Sequence, residues 1–271
     1  MHDAMTSWKV MWGVAVAIYA GCKAVTWMNA RIPEAPVWRQ TAYLLGWPGM
    51  DAARFLQNRS GPKCSQRLSN EWQAASTKVA LGAVLLFGVA RMIPSDHQYL
   101  AGWIGMVGIV LIFHFGFFQL LSCFWRSLGF DAQPLMNHPM RSTSLGEFWG
   151  QRWNTAFRDL TYRSLFRPLT SRLGPRLGLL AGFLFSGVMH ELVMSFPARG
   201  GYGGPTLYFA IQGAAILVER SRFGRRTGLG TGWQGRAFMM LVLIAPVFFL
   251  FHRPFVIRVI VPFMQAVGAL R

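Results

Sequence analysis

Acidic side chains are scarce in this chain. Its 271 residues hold 10 Asp and Glu against 27 Lys and Arg, a formal charge of +17 at pH 7. Charged residues of both signs make up only 14% of the sequence, while 53% is hydrophobic. A soluble domain of this length usually carries more charge than that, so a soluble helical protein is set aside. Cysteine is sparse too. Cys22, Cys64 and Cys123 are scattered with no CxxC or metal-ligand spacing, which argues against a disulfide framework. Several catalytic signatures are missing: there is no GxSxG elbow, no HExxH, no Walker loop and no dinucleotide fingerprint. No metal and no resident cofactor is expected. No internal repeat or low-complexity linker is visible, so a single domain over 1–271 is the economical expectation, and a transporter built from repeated halves is disfavoured.

Long apolar runs are what the chain does have. Candidate spans lie at about 9–28, 78–93, 99–124, 177–196, 205–219, 237–252 and 255–270, several near the roughly 20 residues a membrane helix needs. They predict an all-α polytopic membrane protein, with about seven transmembrane helices and amphipathic interfacial helices in the loops. Lys9 and Lys23 bracket the first run and no small-residue cleavage site follows it, so 1–30 reads as a retained helix, not a signal peptide.

The basic residues are unevenly placed. The segments 30–77, 125–176 and 220–236 carry most of the arginines, and the last holds Arg220, Arg222, Arg225, Arg226 and Arg236 with no acid among them. The alternate segments, 93–98, 197–204 and 252–254, are short. This is the pattern the positive-inside rule produces, with the three basic loops cytoplasmic and the N-terminus outside; Arg199 and Arg253 run against it. The compartment expected is the inner membrane of a bacterium or the endoplasmic reticulum of a eukaryote. Such loops suit anionic partners such as lipid headgroups or phosphorylated cofactors, and no nucleic acid is expected. Nothing in the sequence names a protein partner.

Within 125–176, "SLGE" (Ser144 to Glu147) fits a capping box. After it Trp149, Trp153, Phe157 and Leu160 recur at spacings of three and four, and Arg152, Asp159 and Arg163 fall elsewhere. An amphipathic helix of about 23 residues, roughly 34 Å long, is expected, ended by Pro168. It reads equally as a surface anchor or as part of a site.

In "FLFSGVMHELV", residues 183–193, two ionisable side chains stand inside an apolar run. Gly178, Gly182, Ser186 and His190 are spaced by four and share one helical stripe. Small residues at that spacing allow close backbone approach, so the stripe is expected to face protein. Glu191 lies about 100° further round, toward a second helix or a polar cavity. Intramembrane ionisable groups are costly and read first as functional; a neutral His190 suits a general base, and a structural histidine bonded between helices is the alternative. His114 with His190 could ligate a haem, but nothing else supports it. Asp96 and His97 read as a solvated turn, "GGYGG" at 200–204 as a tight turn, and His138 as a loop residue beside Pro139.

"EFWGQRWNTAFRDLTYRSLFRPL" (147–169) followed by "FSGVMHELVMSFPARGGYGGPTLYFAIQG" (185–213) resembles the wax synthase domain of the membrane-bound O-acyltransferase superfamily, with a motif core at about 140–215. "LGWPGMDAARFL" at 45–56 resembles an upstream stretch of such proteins more loosely. The resemblance implies acyl transfer from acyl-CoA, as cosubstrate, to the hydroxyl of a lipophilic acceptor such as a long-chain alcohol. Diacylglycerol, a sterol or a secondary metabolite are the alternative acceptors, and a membrane scaffold is the non-enzymatic alternative. The resemblance maps the family's histidine to His190 and its asparagine to Asn154. On that reading His190 is the base and Asn154 an oxyanion donor or substrate-orienting group. Arg152, Trp153, Arg158 and Arg163 would meet acyl-CoA, headgroup contact being the alternative for each arginine. Ser186 and Glu191 would support the histidine. Membrane lipids are the remaining partners expected. The chain has fewer N-terminal helices than the plant enzymes, which bears on the acceptor pocket.

Overall fold

The computed structural model describes residues 2–30, 35–57, 65–161 and 167–271. Every regular element among them is helical. Five helices among the described residues are long and apolar enough to cross a membrane: Thr6–Asn29, Leu68–Met92, Ser95–Ser127, Pro168–Ala198 and Gly232–Leu250. The chain is therefore an all-α integral membrane protein. Two other expected spans take different forms. The one at 205–219 lies in Gly204–Arg220, whose 17 residues extend about 26 Å at 1.5 Å each, just short of a bilayer core. The one at 255–270 is divided into Arg253–Phe255, a π-helical turn Val256–Ile260 and Val261–Ala266.

Contacts gather the chain into two compact units. One comprises Met1–Ala15, His138–Trp153 and Thr161–Val267; the other comprises Val16–Asn137, Asn154–Leu160 and Gly268–Arg271.

The second unit contains a helical hairpin, Leu68–Met92 and Ser95–Ser127. A Cβ at Gly82 would stand 2.7 Å from the Gly108 carbonyl, and one at Gly108 equally close to the Gly82 carbonyl, so paired glycines let the two backbones meet. The link is the expected exposed turn, with His97 Nδ1 3.0 Å from Asp96. Below it an aromatic core forms around fully buried Phe55, whose ring lies 4.8 Å from Phe130, 5.2 Å from Trp125 and 6.1 Å from Trp47. The segment carrying Phe55 is a short helix, Ala52–Leu56, capped by Asp51, which accepts the Arg54 N–H at 3.0 Å. Lys23, only 2% exposed, reaches the same segment: its ammonium donates to the carbonyls of Trp47 (2.6 Å) and Gly49 (2.5 Å) and lies 3.4 Å from the Tyr43 ring centroid. Burial pushes the Tyr43 phenol up to about 12.

In the first unit the histidine helix begins at Arg167 and is interrupted at Gly174, whose φ of 80° and ψ of 164° are not helical. Pro168 thus opens a helix where the sequence suggested it would close one; a first turn has no use for the missing N–H. The helix packs on Gly204–Arg220 at Gly187, where a Cβ would stand 2.7 Å from Thr206 Cα, and at Gly213, which faces Leu180 and Phe183. The close approach expected along Gly178, Gly182 and Ser186 is therefore displaced. A Cβ at Gly182 would meet nothing within 4 Å, and one at Gly178 would meet Thr170, before the kink. The face set by Phe183, Gly187 and His190, spaced by four and three, meets the next helix instead.

The single amphipathic helix expected over 147–169 is likewise broken. Leu145–Glu147 leads into a π turn, Phe148–Arg152; Trp153 is extended, and Asn154 is left-handed with φ 43°. A new helix, Thr155–Thr161, follows. Asparagine tolerates the left-handed region better than most residues, which locates the break. Residues 162–166 lie outside the described residues, and Arg163 with them. The expected cap forms with its reciprocal half shifted by one residue: Ser144 Oγ accepts the Glu147 N–H at 2.9 Å, while the Glu147 carboxylate takes the N–H of Thr143, before the N-cap, at 2.8 Å.

Candidate active site

His190 is the last α-helical residue before a π turn, Glu191–Ser195. π turns are rare and recur at functional sites, because an extra residue in the turn redirects the side chains beside it. The imidazole Nδ1 lies 2.7 Å from the carbonyl of Ser186, one turn back. A carbonyl oxygen only accepts, so this nitrogen carries the proton. In the neutral ring Nε2 then has a free lone pair, the state that a proton acceptor requires. The ring rests on Phe209, 4.5 Å between centroids. Ser186 supports the histidine through its backbone; its hydroxyl donates to Gly182 at 3.2 Å instead.

Glu191 points to the second helix, one of the two destinations expected for it. Its Oε1 accepts from Gly203 N (3.0 Å), Thr206 N (3.1 Å) and Thr206 Oγ1 (3.0 Å). A carboxylate is thereby set at the start of Gly204–Arg220, where unpaired N–H groups favour negative charge. The intervening "GGYGG" turn is as tight as expected, with Gly201 and Gly203 at φ 77° and 85°. Gly201 also leaves room for the buried ring of His252, whose Nε2 lies 3.0 Å from Ser195 Oγ.

Arg152 has an internal partner. Its Nε and Nη2 both lie 2.7 Å from Glu147 Oε1. The Thr143 N–H holds the Glu147 carboxyl below the usual carboxylate range; burial opposes it, and Arg152 adds to the lowering. Trp153 stacks on Phe148, 5.4 Å and 17° apart, and so belongs to the core with buried Leu145, Ile216 and Met239.

Asn154 and Arg158 fall in the second unit, whereas His190, Ser186, Glu191, Arg152 and Trp153 fall in the first. The amide oxygen of Asn154 accepts the Phe157 N–H at 3.4 Å and its carbonyl accepts Arg158 N at 3.1 Å, which makes it the N-cap of Thr155–Thr161. Its own N–H is directed at Met136 Sδ, 3.4 Å away.

Two polar residues in the segment 205–219 escaped the sequence reading. Gln212 is fully buried, and Glu219, 7% exposed, accepts from the N–H groups of Leu145 (2.6 Å) and Gly146 (3.2 Å). Each is a polar side chain in an apolar stretch, the same signal that singled out His190.

Residues 132–211, which hold the π turn, Asn154 and His190, match the model of the membrane bound O-acyl transferase family. A probable long-chain-alcohol O-fatty-acyltransferase 3 of Arabidopsis thaliana is 31% identical over 160 residues, 53% of this chain and 47% of that one. A long-chain-alcohol O-fatty-acyltransferase of Simmondsia chinensis is 33% identical over 102 residues, 34% of this chain and 29% of that one. An acyl-CoA–sterol O-acyltransferase 1 of Arabidopsis thaliana is 36% identical over 76 residues, 26% of this chain and 22% of its own length. The chain thus spans less than half the length of each of these three relatives. Over 132–211, then, the chain is similar to the membrane bound O-acyl transferase family and to relatives that carry long-chain-alcohol O-fatty-acyltransferase names.

Proposed function

We propose that this protein is an acyl-CoA-dependent O-acyltransferase, moving an acyl group from the thioester to the hydroxyl of a lipophilic alcohol. The observation that carries this reading is the bond from His190 Nδ1 to the Ser186 carbonyl, which leaves Nε2 as the basic nitrogen. Nε2 takes the proton of the acceptor hydroxyl as its oxygen attacks the thioester carbonyl. The C–S bond then breaks, and the departing CoA thiolate recovers the proton from the imidazolium. A thioester is already activated, so no covalent enzyme intermediate and no resident cofactor is needed. For Asn154 the family resemblance gives the role of oxyanion donor or substrate-orienting group, and its cap uses the amide oxygen, not the amide nitrogen.

Arg158 and Arg163 would meet the acyl-CoA phosphates, with Arg152 and Trp153 as further acyl-CoA contacts. Arg152 is a weaker candidate for phosphate because Glu147 engages its guanidinium. The arginine-rich loops support a multi-pass arrangement with 220–236 cytoplasmic, on the side where CoA esters are found. A sterol is the second acceptor class, favoured by the sterol acyltransferase among the relatives.

Lipid profiling of cells expressing the chain, with long-chain alcohol or sterol supplied or withheld, tests the reading. His190→Ala should lower ester formation by about 10²–10⁴-fold, the usual span for general acid–base catalysis, without loss of expression. Near-normal ester formation by that variant removes the mechanism.

A further inference from the structure

We propose that Gln212 is a positioning residue for this reaction: it pins Trp149, and with it the turn Phe148–Arg152, against the helix pair that carries His190. The inference rests on the acyltransferase reading above. Gln212 sits in the middle of Gly204–Arg220 with no exposed surface. A primary amide in apolar packing is costly unless both of its ends are paired. Here both are. Oε1 accepts the indole N–H of Trp149 at 3.3 Å, and Nε2 donates to the Val242 carbonyl at 2.9 Å. An indole N–H can only donate and a carbonyl can only accept, so the two partners also fix which way round the amide lies. One side chain therefore ties the motif turn to Gly232–Leu250 through its own helix.

What Gln212 holds in place is an aromatic wall beside the imidazole. The Trp149 ring lies 5.9 Å from Phe183, edge to face, and 5.7 Å from Phe209. Phe209 in turn lies 4.5 Å from His190. Phe183 and Phe209 belong to the two helices that meet at Gly187, so their rings are placed by the backbone. Trp149 comes from the motif turn, where it also packs on Phe148 at 5.1 Å, and its indole N–H supplies the polar fixed point against the helix pair. The glutamine would thus act on the reaction through Trp149 and Phe209, without touching substrate. Rings bounding the space beside a general base set how an acyl carbonyl can approach, and a misplacement of about 1 Å can cost ~10²-fold in rate.

The test compares Trp149→Phe, which keeps an aromatic ring and deletes the N–H, with Gln212→Leu and with the double variant, each as purified full chain. Two readouts are taken: amide hydrogen exchange over 145–153, and kcat and KM for ester formation from a palmitoyl-CoA donor and a long-chain alcohol. Each single change should raise exchange over 145–153 and lower kcat ~10–100-fold with KM nearly unchanged, and the double variant should be no worse than the worse single one. Unchanged exchange in Trp149→Phe overturns the proposal, as do kcat losses that multiply in the double variant. Should Gln212→Leu not fold, Gln212→Met with Trp149→Phe reads the same coupling. A wild-type chain that makes no ester defeats the acyltransferase reading, and the exchange measurement then decides the anchor by itself.

Discussion

The carboxylate of Glu219 and the backbone N–H of Leu145 meet at 2.6 Å, 74 residues apart in the chain. With the Gly146 N–H on its other oxygen, Glu219 satisfies two donors in the first turn of the motif segment from a buried position. Glu219→Ala leaves both donors without this partner, at about 1–3 kcal/mol for a buried unsatisfied group. The melting temperature of the detergent-solubilised protein should fall by several degrees, with protease sensitivity rising first near 140–153. A melting temperature equal to wild type would show that water replaces the carboxylate freely.

Asn154 is an N-cap and, in the proposed function, also an oxyanion donor, and substitutions can separate the two. Aspartate retains a capping oxygen and a tolerance for left-handed backbone but has no amide nitrogen to donate. Asn154→Asp should fold normally and lose about 10²–10³-fold in turnover, the scale set by one oxyanion donor. Asn154→Ala should lose both turnover and, through the cap, about 1 kcal/mol of stability. If Asn154→Asp esterifies at the wild-type rate, the residue is a turn and cap, and the oxyanion assignment is withdrawn.

Gly182 and Gly187 lie on the same helix and should respond oppositely to a methyl group. At Gly187 a Cβ would press to 2.7 Å against Thr206 Cα, a backbone atom that cannot rotate away. Gly187→Ala should therefore force the helices apart and destabilise by about 1–3 kcal/mol. Gly182→Ala meets open space and replaces glycine with a better helix former, a change of at most about 1 kcal/mol in the stabilising direction. Unfolding midpoints of the two variants decide the matter, and equal midpoints would mean that the helix contact yields readily.

Glu147 gives the motif segment a sensitivity to acid. Its folded pKa lies below its ordinary value, held there by the Thr143 N–H and Arg152. Its contribution to stability is therefore fully present above the unfolded value of about 4.3 and is lost as pH falls through the lower folded value. Glu147→Gln should flatten the dependence of melting temperature on pH between about 5 and 3. Parallel pH curves for wild type and variant would count against that carboxylate as the sensitive group.

Much of the architecture could be read from composition and spacing. The helices containing Lys23, Leu86, His114, His190 and Met239 were all visible as apolar runs, since a bilayer span must be long and nearly uncharged. The motif segment was readable too, because Ser144 and Glu147 sit at capping distance and His190 is conspicuous among apolar neighbours. Local backbone shape was less legible. Six π turns interrupt the described helices, at Ala42–Gly46, Val84–Val89, Leu111–Phe117, Phe148–Arg152, Glu191–Ser195 and Val256–Ile260. Each adds a residue to a turn and rotates everything after it, so a wheel drawn at 3.6 residues per turn goes astray beyond it. The break at Trp153 and Asn154 was hidden for the same reason, the hydrophobic spacing continuing across it. Gln212 and Glu219 were missed for another: their partners, Trp149 and Leu145, are far away in sequence.

Lys23 has a consequence for how the chain is made. Its ammonium stands in a membrane helix, and the carbonyls that receive it belong to Trp47 and Gly49, 24 and 26 residues later. At about 5–20 residues per second, a ribosome needs roughly 1–5 s to produce that stretch. During that interval the first helix carries a charge its own sequence cannot neutralise, and an ammonium in hydrocarbon without partners is costly. The first helix is therefore expected to keep its lysine drawn toward the water interface until the 45–56 segment arrives to receive it.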